Sequence, residues 1–289
     1  MATAAISPRT VGVLRRLRTR PTWIGWVALL LPVIVLDVAL FLTPLGGLAA
    51  DSFHGNSYSR IFHDPLVRKS LTNTFWISTV STIITLVLGY LVAYVIWRQG
   101  KLVRVILFAL VLLPFWTGVL VKNFAWAVLL QDNGLVNGFL QTIGLTSGPV
   151  QILHTRLAVV IGMSHYLLPY AIFPIFASLS AQDHRIEQAA RSLGAGGIQV
   201  FRRVILPLSL PGVSAAGLLV FIICTGFFVT PVVLGGPADM MVANQIDFYA
   251  RKLTDFRAAS ALAVVLTVAV SMMAAVYQRA LRSGGQHGA

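Results

Sequence analysis

The sequence predicts an all-α membrane protein with six transmembrane helices. Three observations carry this. The 289 residues are 57% hydrophobic and only 11% charged, where soluble domains carry about a quarter charged residues. Apolar runs near 20 residues recur, the length that crosses a hydrocarbon core of about 30 Å. Lysines and arginines gather in the loops beside these runs, where they set orientation. The net charge of +13 is therefore read as a topology signal, and no nucleic-acid partner is expected.

The first span, 23–43, follows a tail holding Arg9, Arg15, Arg16, Arg18 and Arg20. Arginines before an apolar run also describe a signal peptide, and Gly47-Leu48-Ala49-Ala50 would pass as its cleavage site. The run from Trp23 to Leu45 exceeds the usual 7–15 residues, which favours an uncleaved helix. Five further spans follow at 70–97, 103–121, 157–179, 211–232 and 259–279. Pro32, Pro114, Pro169, Pro174 and Pro231 fall inside spans, where neighbouring helices can satisfy the freed carbonyls. Segment 122–156 reads as an outside connection with an amphipathic piece, Leu135 to Leu140, between Asn133-Gly134 and Ser147-Gly148-Pro149. The end at 285–289 reads as a frayed terminus. With both termini, the 2–3 loop and the 4–5 loop on one side, that side holds 14 of the 22 basic residues. The richer side is cytoplasmic.

Several chemistries are not expected. Cys224 is the single cysteine and cannot form an intrachain disulfide. The six histidines form no HxxH or HxxxH pair, so no metal site is anticipated. No clustered acid, base and nucleophile set supports an enzyme. The inverted repeats and broken midplane helices of secondary transporters are not apparent.

One polar insert interrupts the pattern, between the fourth and fifth spans. Asp183 is a good N-cap, and Glu187 sits at the positive end of the helix dipole. Ile186, Ala189, Ala190 and Leu193 share one face. Gly194 suits the left-handed residue that ends a helix. A second short helix, Ile198 to Ile205, is expected to stop at Leu206-Pro207, and Pro211-Gly212 to open the fifth span. The residues alone leave two readings: a hairpin lying on lipid, or a dock for a cytoplasmic partner covering its apolar face.

The spacing Gln188-Ala189-Ala190, three residues, Gly194, nine residues, Val204-Ile205-Leu206-Pro207 resembles the EAA loop of bacterial ABC importer permeases. Gln188 stands at the usual glutamate and Val204 at the usual isoleucine; Glu187 is adjacent. The resemblance runs from about residue 66 to 279. It is nearest to spermidine/putrescine permeases in 122–137, 160–183 and 227–249. It implies the type I ABC importer transmembrane fold, with a cytoplasmic coupling-helix hairpin that contacts a separate ATPase subunit through Glu187, Gln188, Ala189, Ala190, Gly194, Leu206 and Pro207. It implies a non-catalytic permease of the bacterial inner membrane. Its partners would be ATPase subunits, a second permease (homologous or a copy of this chain) and a periplasmic or lipid-anchored solute-binding protein. The chain lacks GxxxxGK[ST], so no cofactor is expected on it, with ATP used by the partner subunits. The solute would be a polyamine, with aminoethylphosphonate or ferric ion as alternatives. The implied division is 1–66 for tail, first helix and periplasmic loop, 67–281 for the transmembrane core with its EAA loop at 183–207, and 282–289 for the cytoplasmic tail.

Pathway candidates are fewer. Asp37 is the one acid inside an expected span, which makes it a functional candidate, though it also fits facing water or pairing with an arginine. Tyr166, Tyr170 and Phe173 share one helix face beside Pro169, as packing or as a path for an ammonium ion. His165 reads as a hydrogen-bonded helix histidine in preference to a proton relay. Asp239 and Asp247 lie in the loop before the sixth span, either solvated or facing solute and binding protein.

Overall fold

The computed structural model describes residues 23–53 and 57–285. The tail arginines and residues 286–289 lie outside the described residues. The chain forms two compact units, Met1–Asp51 and Ser52–Ala289. In the first, a helix (α1) runs over Trp23–Asp37, through a wide π turn at Val38–Leu42, into Thr43–Phe53. Its apolar side chains from Leu30 to Leu48 are exposed, as suits a helix whose surroundings are lipid or another subunit. The helix covers the expected 23–43 and continues to Phe53. Pro44 and the Gly46-Gly47 pair do not end the helix, because Pro44 sits just after the π turn, where the backbone ring is already widened.

In the second unit, a short helix α2 (Ser57–His63) leads into α3 (Pro65–Arg98). Asp64 caps α3 by accepting from the Leu66 amide at 2.8 Å, and Pro65 occupies the first turn, where no amide hydrogen is needed. The helix is 34 residues long, with no proline after Pro65. Next come α4 (Lys101–Leu112), a 3-10 turn at Leu113–Trp116, α5 (Val119–Leu130) and α6 (Leu135–Thr142). The long helices α7 (Arg156–Ser180) and α9 (Gly197–Thr225) flank the hairpin helix α8 (His184–Ser192). Short helices α10 (Val229–Leu234) and α11 (Val242–Asp247) precede α12 (Phe256–Gly285).

Helices α3, α7 and α9 form the core. Ile77, Ala93 and Ile96 meet Met163, Leu167 and Ile172 of α7 and Val220 and Cys224 of α9, all buried. Small residues bring the backbones together, as in other membrane bundles. A Cβ on Gly89 would lie 2.8 Å from Ala171 Cβ, and one on Gly212 would lie 2.3 Å from Ser178 Cβ. A second cluster joins Ile61, Val67, Tyr249, Ala258 and Leu262 around α12.

Two expectations are corrected. The span placed at 103–121 is not one helix: Lys101–Trp116 and Val119–Thr142 meet at 95°. Pro114 supplies no amide hydrogen, Thr117 is extended and Gly118 caps the next helix, so the ladder breaks while the sequence stays apolar. The stretch after it is correspondingly no simple outside loop, since α5 packs on α7 and α10. The fifth span does not begin at Pro211 either. Helix α9 starts at Gly197 and passes without a stop through a π turn at Phe201–Ile205. There the Leu206 amide bonds the Phe201 carbonyl, one residue further back than in an α-helix. That widening makes room for the Pro207 ring, which a regular turn would push against the carbonyl four residues earlier.

Candidate functional site

The hairpin is built by local rules. Asp183 accepts from the Arg185 amide at 2.9 Å, closing the first turn of α8. Gly194 takes φ +84°. The Gly194 amide then bonds the Arg191 carbonyl at 2.9 Å, and the Ala195 amide bonds the Ala190 carbonyl at 3.1 Å. This paired closure is the Schellman ending that favours glycine. Gln182 donates to the Ile205 carbonyl at 3.2 Å, pinning the two arms of the hairpin together.

The polar and apolar faces then separate. Gln188 and Ala189 are exposed. Leu193 is 89% and Ile198 78% exposed, a large apolar display for a polar hairpin. Leu206 is half-buried, and Pro207 is exposed on the first turn beyond the π turn. Glu187 points the other way and is buried. Arg98 Nη1, at the last residue of α3, donates to Glu187 Oε1 at 2.9 Å and Oε2 at 3.1 Å. Arg191 donates to Oε1 from Nε at 3.2 Å and from Nη2 at 3.0 Å. Burial opposes the charge on Glu187, but the bonds from the two arginines outweigh it and hold the carboxyl below its usual range. Arg98 is itself fixed: Nε and Nη2 both donate to the Tyr94 hydroxyl at 3.1 Å. Its guanidinium lies 4.8 Å from the Trp97 ring, and Trp97 stacks on His184 at 5.4 Å.

The aromatic candidates sit deeper. Tyr166 and Tyr170 are half-buried on α7, their rings 6.1 Å apart. Tyr166 meets Phe227 edge-on at 5.0 Å, and Tyr170 meets Phe115 at 5.7 Å. Phe173 is exposed and stacks on Phe108 at 5.9 Å. Lys122, expected in an outside loop, has its ammonium 4.9 Å from the Tyr166 ring. Tyr166 is ten residues into α7, about 15 Å along its axis, so half-buried Lys122 lies at that depth along the helix. Trp126 donates to His165 Nδ1 at 3.2 Å, the hydrogen-bonded state read from the sequence. Lys122 and His165 share an apolar cavity of about 460 Å³ with Leu91, Leu107, Pro114 and Pro169.

The acidic candidates are scattered. Asp37 lies in the exposed helix of the first unit. Asp247 pairs with Arg251 at 2.7 Å, one turn away. Asp239, read from the sequence as solvated or facing a partner, is buried and bonds Arg156 at 2.9 Å. It ties the loop before α11 to the start of α7.

The family described as binding-protein-dependent transport system inner membrane component matches residues 43–283. This chain belongs to that family. The permease is 34% identical over 259 residues to the spermidine/putrescine transport system permease protein PotB of Haemophilus influenzae, with 90% of each chain covered. It is 32% identical over 264 residues to PotB of Escherichia coli K12, covering 90% of this chain and 96% of the relative. Among solved structures, a chain of a bacterial ABC transporter involved in the import of the acidic polysaccharide alginate superimposes with TM-score 0.74 at 20% identity. That match covers 94% of this chain and 99% of the other. A chain of the MetNI methionine transporter in an inward-facing form gives 0.57 at 19% identity, covering 75% and 95%. The fold is that of type I ABC importer transmembrane subunits, and the chain is a multi-pass inner-membrane component of such a transporter.

Sequence reading missed several residues of the permease. Arg98 counts in the sequence only among the charges of the 2–3 loop, and its pairing with Glu187 spans 89 positions. Asn73 of α3 donates to the carbonyls of Ala238 and Met240 at 2.9 and 3.1 Å. Thr74 accepts from the Val242 amide at 2.8 Å. Asn244 donates to the Phe228 carbonyl at 2.9 Å. An asparagine inside an apolar span was the available signal, since buried amides need partners. Thr230 donating to Asn123 at 3.0 Å is a second case.

Proposed function

We propose that the permease carries a polyamine across the inner membrane, driven by ATP hydrolysed on separate subunits docked at the 183–207 hairpin. The observation that carries the coupling half is the hairpin's exposed face, with Leu193 and Ile198 bared on an arm that continues without a break into α9. A rigid apolar knob joined to a membrane helix is what a moving partner needs in order to pull on that helix. On this reading Gln188, Ala189, Leu193 and Ile198 face the ATPase, with Ala190 and Gly194 shaping the turn and Leu206-Pro207 at the junction. No cofactor is held by the chain itself, and the hairpin side, with both termini, is cytoplasmic. The transmembrane core is 67–281, flanked by 1–66 and the tail 282–289. A second permease, a copy or a relative, and a periplasmic solute-binding protein complete the complex.

The solute half rests on the two PotB relatives. Tyr166 and Tyr170 offer ring faces of the kind that attract ammonium groups, and Asp37 and Asp247 are the remaining pathway candidates. One observation favours the alternative solute aminoethylphosphonate: Lys122 beside His165 puts a cation where a polyamine would meet repulsion. The deciding measurement is solute-stimulated ATP hydrolysis by the reconstituted complex, with polyamines, aminoethylphosphonate and ferric ion compared. Stimulation by spermidine or putrescine alone supports the reading. Stimulation by the phosphonate alone removes the polyamine assignment. Solute accumulation against a gradient without any ATPase subunit removes the whole reading.

A further inference from the structure

We infer that Glu187 is a positioning residue whose bond to Arg98 gives the coupling hairpin a second mechanical output, through α3, besides its continuous link to α9. The inference rests on the proposed ATP-driven reading. Two features of the chain support it. The first is the joint itself. Arg98 spends all three guanidinium nitrogens on Glu187 and Tyr94, and its face is covered by Trp97. Trp97 in turn stacks on His184, the first residue of α8. Tyr94 and Tyr90 of α3 also pack edge-on against Phe201, in the other arm, at 5.4 and 6.0 Å. A short helix held at its first turn, at its buried carboxylate and through its returning arm moves with the end of α3. Nη1 is shared by both Glu187 oxygens while Nε and Nη2 are held by the Tyr94 hydroxyl, so the guanidinium cannot swing away without breaking charge-assisted bonds.

The second feature is stiffness. Helix α9, the direct route, contains the π turn at Phe201–Ile205 with Pro207 and Pro211 just beyond it. Such places bend. Helix α7 carries Pro169 and Pro174. Helix α3 has no proline after its first residue. Its far end is bonded through Asn73 and Thr74 to the 238–242 loop. A push delivered at Arg98 is therefore carried by the stiffest of the three core helices to the opposite face, while the same push into α9 is partly absorbed.

The test uses the full complex, with ATPase co-purification, ATP turnover and uptake measured together. Glu187→Gln and Arg98→Ala are expected to keep the ATPase bound and hydrolysing, while solute moved per ATP falls about tenfold, within the range seen for mutations along coupling routes. Arg98→Lys, which keeps charge but loses the simultaneous hold on Tyr94 and Glu187, should fall between. A merely structural role is separated by Arg98→Cys with Glu187→Cys joined by a short bifunctional thiol reagent. The tether restores uptake per ATP without restoring any charge, and Cys224, the one native thiol, is buried. Unchanged uptake per ATP in both single variants overturns the inference, as does a tethered pair that stays uncoupled. Loss of ATPase binding in Glu187→Gln with normal behaviour of Arg98→Ala also overturns it, by making Glu187 a direct ATPase contact. Wild-type complex without ATP-dependent uptake would instead remove the underlying functional reading.

Discussion

Replacing Gly194 isolates the turn of the hairpin from its docking face. A Cβ there meets nothing within 4 Å, so no clash within the chain accompanies a side chain. The cost is the backbone alone: at φ +84° an L-residue pays about 1–2 kcal/mol, more for a β-branched one and less for asparagine, which tolerates the left-handed region. Helix α8 has nine residues, too few to hold itself in water, so strain at its end is not absorbed by the helix. A loss of that size shifts the folded-hairpin ratio by roughly 5- to 30-fold. Uptake should therefore fall in the order Gly, Asn, Ala, Val, with ATPase co-purification falling in parallel and membrane insertion unchanged. Vesicle uptake with an affinity pull-down reads both. Normal uptake in Gly194→Val refutes the turn. An Asn variant as damaged as Val refutes the strain account, since any side chain would then be blocking a bound partner.

Gly212→Ala places a methyl 2.3 Å from Ser178 Cβ and 2.7 Å from the Pro174 carbonyl, so α7 and α9 must part, at about 1–3 kcal/mol. Thermal unfolding in detergent should shift well below that of Gly217→Ala, whose nearest neighbour is the flexible Leu86 tip at 3.3 Å; equal shifts would contradict the packing. Lys122→Met removes the chain's own cation from the Tyr166 ring. For a polyamine path it should tighten apparent solute affinity in the ATPase assay by about two- to fivefold, whereas abolished stimulation would mean the lysine binds the solute. The lowered Glu187 carboxyl contributes stability that is present above the ordinary glutamate value and lost as pH falls through its depressed folded value. Acidification below about pH 4.3 should therefore destabilise wild type more than Glu187→Gln, measured by detergent melting; matching pH profiles would remove the ion pair from the account.

What could be read from the sequence was what is local. Hydropathy located α3, α7 and α12 nearly to their ends, because each is a single apolar run with charges at its borders. Asp183 and Gly194 announced their own cap and turn, since both act within four residues of themselves. The break at Pro114–Gly118 was hidden because the chain stays apolar on both sides, so hydropathy counted one span where the backbone makes two pieces. Pro207 misled in the opposite sense: proline stops a regular helix, but a π turn just before it lets α9 continue. The Arg98–Glu187 and Asn73–loop bonds join residues 89 and more than 160 positions apart. Side-chain pairing across helices leaves no periodic trace in the sequence.

On the inferred coupling route, the close contact of Gly89 with Ala171 would make α3 a lever as well as a rod. Gly89 lies nine residues from Arg98 and sixteen from Asn73, arms of about 14 and 24 Å at 1.5 Å per residue. With the pivot there, each ångström the hairpin moves Arg98 swings Asn73 about 1.8 Å in the opposite sense. On that route, the loop bonded to Asn73 would travel with it, and closing one face would open the other in a single tilt, with the larger stroke on the side away from the hairpin.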